Sequence, residues 1–245
     1  MRGRALPLSP ARTLMADLSW MARRVPIGVI RRRIDLSTVI AARRAMPAPR
    51  VPFTAMTAKA FALVARDIPE LRRSYAPFPR AHLYEVGVSV ASIMIEREID
   101  GERAVIPVRV RDPAGFSLRE ITTILENARA GEGAEAAHLA KLMRISRLPL
   151  PLRRLLWLWG FNSGRQRPNY FGTFGVSVLG HIGGEIVRPV SPLTSFVSYG
   201  PFDADGRTEM TMAFDHRVMD GALIVEAIGG IEAALNGPIR DELAG

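Results

Sequence analysis

Cysteine is absent from all 245 residues, which removes disulfides, thiolate metal sites and a cysteine nucleophile. Histidine is scarce. His82, His138, His181 and His216 are the four, and no two are spaced as a ligand pair, so no metal site is expected. No run of about 20 uncharged apolar residues occurs, so no transmembrane helix is expected. The N-terminus, MRGRALPLSPARTLM, carries basic residues, but its prolines and Arg12 break any apolar signal core. That reads as a cytoplasmic protein. Acidic residues are rare at the start of the chain: residues 1–50 hold eleven arginines against Asp17 and Asp35, so this fifth carries the whole net charge of +9. Such a stretch suits nucleic acid, a membrane surface or an anionic cofactor, or is simply a solvated face. It has no interleaved aromatic pattern, which argues against nucleic acid. Lysine is limited to Lys59 and Lys141, so part of the arginine excess reflects composition rather than function.

What is present is a chain long enough to bury a substantial core. Ser9-Pro10 starts a helix as N-cap and first helical residue, and Pro26 ends it. Val29–Leu36 reads as a strand, and Thr54–Arg66 as a helix with Met56, Ala60, Phe61 and Val64 on one face. Val86–Ile95 and Ala104–Val110 form a hairpin through Asp100-Gly101. Ser117 and Glu120 have the capping-box spacing of a helix start, and a second helix covers Ala134–Arg144. The run 148–161, LPLPLRRLLWLWGF, is apolar apart from Arg153 and Arg154. It fits a core or subunit-contact helix, the lining of an acyl-chain pocket, or a peripheral membrane contact. From Tyr170 the segments GTFGVSVLG, EIVRPV, TSFVSYG and TEMTMAF read as short strands, followed by a helix over Ala222–Leu235. Helices and strands without βαβ alternation predict an α+β fold.

The densest chemistry lies in FDHRVMDGA, Phe214–Ala222. A base that takes a proton from a thiol or hydroxyl should titrate near neutrality, which favours histidine. A turn at a sheet end can aim His216 by holding one ring nitrogen on backbone while the other faces substrate. Asp220 stands where it caps the following helix or bridges to an arginine. By spacing alone, a surface histidine beside a capped helix is the favoured reading.

FDHRVMDGA resembles the D-H-R-x-x-D-G signature of the catalytic domain of 2-oxo acid dehydrogenase dihydrolipoamide acyltransferases, relatives of chloramphenicol acetyltransferase. GTFGVSVLGHIGG (172–184) resembles the family's G-T-F-x-I-S-x-L-G segment. MTAKAFALVARDIPELRRSY (56–75) resembles its helix ending in proline and an N-x-S-Y-like turn. VGVSVAS and VIPVRVRDPAGFSLREI resemble its paired strands and the K-S-L-x-E-L helix, and PLSPARTLM its first helix. The resemblance spans about residues 7–242 in order. Where the family reads I-P-H-V-T, this chain has VPIGVIRRRIDLS.

The resemblance implies a chloramphenicol acetyltransferase-like α+β domain, a mixed sheet flanked by helices, forming trimers with active sites between subunits. It implies a CoA-dependent acyltransferase with His216 as general base, Ser177 as oxyanion stabiliser and Asp220 in an orienting role. Arg12 is the expected partner of Asp220. Coenzyme A enters as acyl-CoA substrate, and the acceptor is a thiol, amine or hydroxyl, small or carrier-bound. A single domain over 1–245 is expected, a free-standing member with no lipoyl or subunit-binding domain, no bound lipoyl group and no metal. The alternative is a non-catalytic oligomeric module that docks on a dehydrogenase complex or a membrane. Retention of both His216 and Ser177 speaks against it.

Overall fold

Serine before proline does at the first helix what the sequence predicts. In the computed structural model, which describes residues 3–245, Ser9 accepts from the Arg12 N–H at the head of α1 (Pro10–Ala22). β1 (Ile27–Asp35) and α2 (Ser37–Ala45) follow, the latter not foreseen. α3 (Phe53–Asp67) buries Met56, Ala60, Phe61 and Val64 as its periodicity requires. A small hairpin, β2 (Arg73–Ala76) with β3 (His82–Glu85), stands outside the main sheet. β4 (Val90–Ile99) turns into β5 (Glu102–Arg111) through Asp100 and Gly101 at φ 53° and 77°. A two-residue hairpin turn of this hand needs two left-handed residues, which Asp-Gly adopts at low cost.

Ser117 and Glu120 close a complete capping box on α4 (Leu118–Ala130), each side chain satisfying the other's backbone N–H. Ser117→Ala is therefore expected to cost about 1 kcal/mol, read as a fall in melting temperature of about 2–4 °C. α5 (Gly133–Ser146), α6 (Leu150–Asn162) and the short α7 (Arg167–Tyr170) precede β6 (Phe174–Val178), β7 (Ser195–Tyr199) and β8 (Arg207–Asp215). α8 (Gly221–Ala234) and α9 (Arg240–Ala244) close the chain. The helical stretch Gly221–Ala244 is long and apolar enough to cross a membrane by length and composition. Here Ile224, Ala227, Ile228 and Ile231 of α8 are buried core instead.

The main sheet runs β1-β8-β7-β6-β4-β5. β6 is parallel to both β4 and β7, and the other pairs are antiparallel, so the sheet is mixed and the fold α+β as expected. One face packs on α3, where Phe61 stacks on Phe174 with ring centroids 3.9 Å apart. On the same face the Thr57 and Tyr199 hydroxyls meet at 2.8 Å. Residues alternate across a strand and paired residues share a face. Gly175, Ser177, Phe196, Ser198 and Thr211 therefore line the opposite face.

The segment expected as a strand at EIVRPV is not one: Glu185–Val190 is irregular chain. Pro189 cannot donate to a ladder, and Ser198 Oγ holds the Ile186 carbonyl at 2.8 Å. The segment therefore crosses the sheet face rather than extending the sheet. α6 divides the three readings of its sequence. Trp157, Gly160 and Phe161 are buried, and Trp157 Nε1 donates to the wholly buried Asp17 at 2.9 Å. Leu152, Leu155 and Trp159 point outward as an exposed apolar stripe.

His138 on α5 carries a pH-dependent strain. Its Nε2 is buried without a hydrogen-bond partner, and burial, aided by the Arg109 charge, pushes the imidazole down to about 4. The unfolded chain takes up this proton near pH 6.5 and the folded chain does not. The stability linked to His138 is complete above about 6.5 and declines as pH falls towards 4. His138→Phe is expected to flatten that part of a stability–pH curve measured by urea melts, and an unchanged slope would refute the assignment.

Candidate active site

His216 follows the last residue of β8, where the chain leaves the sheet and turns towards α8. Its backbone N–H donates to the Pro26 carbonyl at 3.0 Å, just before β1. The Val218 and Met219 N–H groups donate back to the Asp215 carbonyl, closing a tight turn with the imidazole at its outer side. The ring packs beside Phe214 at 5.4 Å between centroids. The tip of the Phe214 ring in turn lies against Gly28, where any side chain would collide with it.

Asp220 neither caps α8 with its side chain nor meets an arginine. It occupies the N-cap position without a capping hydrogen bond, and its Oδ1 lies 3.3 Å from His216 Nδ1. Arg12, the expected partner, pairs instead with Glu102, which Ser9 also holds. The correction has a simple cause: four residues across one turn bring Asp220 back to the ring, whereas Arg12 is claimed by the β4–β5 hairpin. The consequence is chemical. A carboxylate at Nδ1 favours the tautomer with the proton there, leaving Nε2 with its lone pair free as the basic nitrogen. The group nearest the ring is thus an exposed carboxylate rather than backbone, close to Nδ1 without a hydrogen bond to it.

A buried ionic cluster stands behind the turn. Asp215 is wholly buried and takes a two-point grip from Arg217, Nε at 2.9 Å and Nη2 at 2.7 Å. The Arg217 guanidinium lies over the Tyr75 ring, 4.3 Å from its centroid. Arg167 is only 2% exposed and donates to the Tyr75 and Pro192 carbonyls at 3.3 and 2.8 Å. Burial lowers its guanidinium to about 10 while the Asp215 charge opposes the fall, so it stays charged at neutral pH. The cluster ties β8 to the β2–β3 hairpin and to the irregular segment before β7. Only the D-x-R part of DHR hinted at it; Arg167 and Tyr75 lie far away in sequence and gave no signal.

Ser177 is 6% exposed on β6 and opens into an apolar cavity of about 960 Å³ on the outer sheet face. Trp157, Tyr170, Phe171, Phe196 and Leu193 are among its walls. Ser177, Ser198 and Thr211 stand side by side across three strands, a row of hydroxyls in which Ser198 is engaged by Ile186 and Thr211 Oγ1 has no partner.

The structure does not bring Ser177 and His216 together. Ser177 is level with Thr211, so His216 lies five residues further along β8 and two strands across. At ordinary strand rise and spacing this separates them by on the order of 20 Å. Neither His216 nor Asp220 lines the cavity. One chain therefore carries an exposed histidine at one end of the sheet and a hydroxyl-floored cavity at the other. Among the described residues no cluster of carboxylates and histidines is arranged to hold a metal ion.

No protein-family model matches the chain, and no curated protein matches it. Solved structures do. A probable dihydrolipoamide acetyltransferase from Listeria monocytogenes aligns over 95% of this chain and 94% of its own, at 16% identity and a TM-score of 0.69. The dihydrolipoamide acetyltransferase of Azotobacter vinelandii aligns over 99% and 94%, at 19% identity and a TM-score of 0.68. A serine, a histidine and an asparagine were investigated in that enzyme's catalytic mechanism, the last two four positions apart. A truncated catalytic core of the 2-oxoacid dehydrogenase multienzyme complex from Thermoplasma acidophilum aligns over 96% and 99%, at 16% identity and a TM-score of 0.67. At these identities what is shared is the fold: the chain folds as dihydrolipoamide acetyltransferase catalytic cores do, as its sequence motifs implied.

Proposed function

We propose that this chain is a CoA-dependent acyltransferase that works as an oligomer, in its simplest form a cyclic trimer, with His216 of one copy facing the Ser177 cavity of the next. The single observation behind this reading is the pairing of an exposed histidine beside a carboxylate with a buried serine that opens into an apolar cavity. The two lie too far apart in one chain to act together, and a cyclic trimer joins unlike surfaces of neighbouring copies.

In this reading the acceptor's thiol, amine or hydroxyl gives its proton to His216 Nε2, and Asp220 stabilises the resulting imidazolium through Nδ1. The acceptor atom attacks the thioester carbonyl, and the Ser177 hydroxyl donates to the oxyanion that forms. Collapse of the tetrahedral species breaks the carbon–sulfur bond, and the CoA sulfur takes the proton from His216. Every step uses groups of this chain and its two substrates, without metal or lipoyl group. The four-residue spacing of His216 and Asp220 is that of the histidine and asparagine studied in the Azotobacter enzyme, here with a charged residue in the second place.

Thiol release from acyl-CoAs of graded chain length, with thiol, amine and hydroxyl acceptors, tests the reading. Turnover that His216→Ala removes supports it. Turnover unaffected by that substitution overturns the mechanism. A well-folded oligomer that transfers nothing favours instead the non-catalytic module.

A further inference from the structure

α6 turns its charges inward and its leucines outward, the reverse of an ordinary surface helix. Arg153 and Arg154 reach back to the buried Asp17 carboxylate at 2.9 and 3.5 Å. Leu152, Leu155, Leu156 and Trp159, spaced i, i+3, i+4 and i+7, take the solvent side. Leu150 extends the stripe at the helix start, and Leu155 and Trp159 are 65% and 55% exposed. Single exposed leucines are ordinary, but a contiguous row on one helix face marks a surface that meets a partner or a membrane. None of these side chains lines the Ser177 cavity, so acyl transfer as derived above does not use this face.

The charge beside the stripe decides between the two. Residues 136–184 contain seven lysines and arginines and no carboxylate. Arg144 and Arg147 are exposed at the end of α5. That end is tied to the start of α6, where Arg153 Nη1 donates to the Ser146 carbonyl at 3.2 Å. Towards the other end, Lys141 Nζ stands 5.1 Å from the centre of the Tyr170 ring, and Trp159 packs on the same ring at 6.4 Å. Arg24 and Arg154 both lie over the Trp20 ring, 3.5 and 3.9 Å from its centroid, which brings one more exposed arginine alongside α6. Two copies meeting through this face would set cations against cations, which disfavours self-association there. An anionic bilayer instead supplies acyl chains for the stripe and phosphates for the cations around it.

We propose that α6 docks this chain on an anionic membrane surface, with Leu152, Leu155, Leu156 and Trp159 among the acyl chains and Lys141, Arg144 and Arg147 at the headgroups. The helix has 13 residues, about 20 Å of length, too short to cross a bilayer, so it lies in the plane of the interface. Asp17 has a part in this: by holding Arg153 and Arg154 inward it keeps their charge out of the stripe. Docking of this kind is independent of whether the chain transfers acyl groups.

Flotation of the full chain with phosphatidylcholine vesicles, with and without phosphatidylglycerol, tests it. The native chain is expected to float with the anionic vesicles, to bind the neutral ones more weakly, and to be released as salt rises. Leu155→Glu removes the burial of one leucine and should weaken binding about ten- to a hundredfold. Arg147→Gln removes one cation near the surface and should weaken it about fivefold. Both side chains are exposed, so the melting temperature and sedimentation of each variant should match those of the native chain. A native chain that stays in solution beside anionic vesicles overturns the proposal, as does Leu155→Glu that floats as the native chain does. An oligomer that Leu155→Glu dissociates, from a native chain that binds no vesicles, would assign the face to a second copy instead.

Discussion

Copies carrying His216→Ala and copies carrying Ser177→Ala should regain, when mixed, the acyl transfer that neither performs alone. Removing the base is expected to cut kcat by about 10²–10⁴, and removing the oxyanion donor by about 10²–10³. In one chain the two groups lie at opposite ends of the central strands, so the proposed mechanism requires the histidine of one copy and the serine of another. A mixed oligomer contains sites in which an intact His216 from a Ser177→Ala copy faces an intact Ser177 from a His216→Ala copy. For random exchange in a cyclic assembly such sites amount to about a quarter of the total. The mixture should therefore recover roughly that fraction of native turnover, far above either variant. Co-refolding equal amounts and assaying thiol release measures it. No recovery from verified mixed oligomers would show that the two residues do not cooperate across copies.

Asp215→Ala is expected to destabilise the fold severely, well beyond the loss of the Ser117 cap. The carboxylate is wholly buried and is gripped at two points by Arg217, and its charge favours the charged form of the buried Arg167. Its removal leaves guanidinium charge in a low-dielectric interior with no counter-charge, which costs about 3–5 kcal/mol. For a chain of this size that corresponds to a melting temperature lower by about 6–20 °C. Asp215→Asn keeps hydrogen-bond acceptors but no charge, so it should fall between the native chain and Asp215→Ala. In that milder variant the turn that presents His216 loses part of its anchor, and kcat is expected to drop while KM for acyl-CoA holds. A melting temperature within about 2 °C of native for Asp215→Ala would mean that the arginines escape to solvent and that the cluster is not the support of the turn.

The readable parts of this chain were those governed by local rules. The capping box at Ser117 and Glu120, the Ser9-Pro10 helix start and the Asp100-Gly101 hairpin all formed where spacing placed them, because each is settled by backbone geometry within a few residues. The apolar face of α3 was legible for the same reason. EIVRPV misled because β-branched composition says nothing about whether an open sheet edge is nearby. With Pro189 and the Ser198 contact, the segment became a cover for the outer sheet face instead.

His216, Ser177 and Asp220 were visible as motif residues, but their relations were not. Four residues of one turn sufficed to bring Asp220 to His216 Nδ1, and a short-range argument could have reached that contact. The separation of His216 from Ser177 depends on strand order and register, which couple positions 39 residues apart. Arg167 and Asp215 come together only after the sheet and its helices have packed. By itself the sequence determined the elements set by caps, turns and helical periodicity, the fold class and the identity of the chemical groups. Tertiary packing decided which groups share a cavity and which charges are buried, because burial and long-range register are properties of the assembled sheet and leave no local periodicity behind.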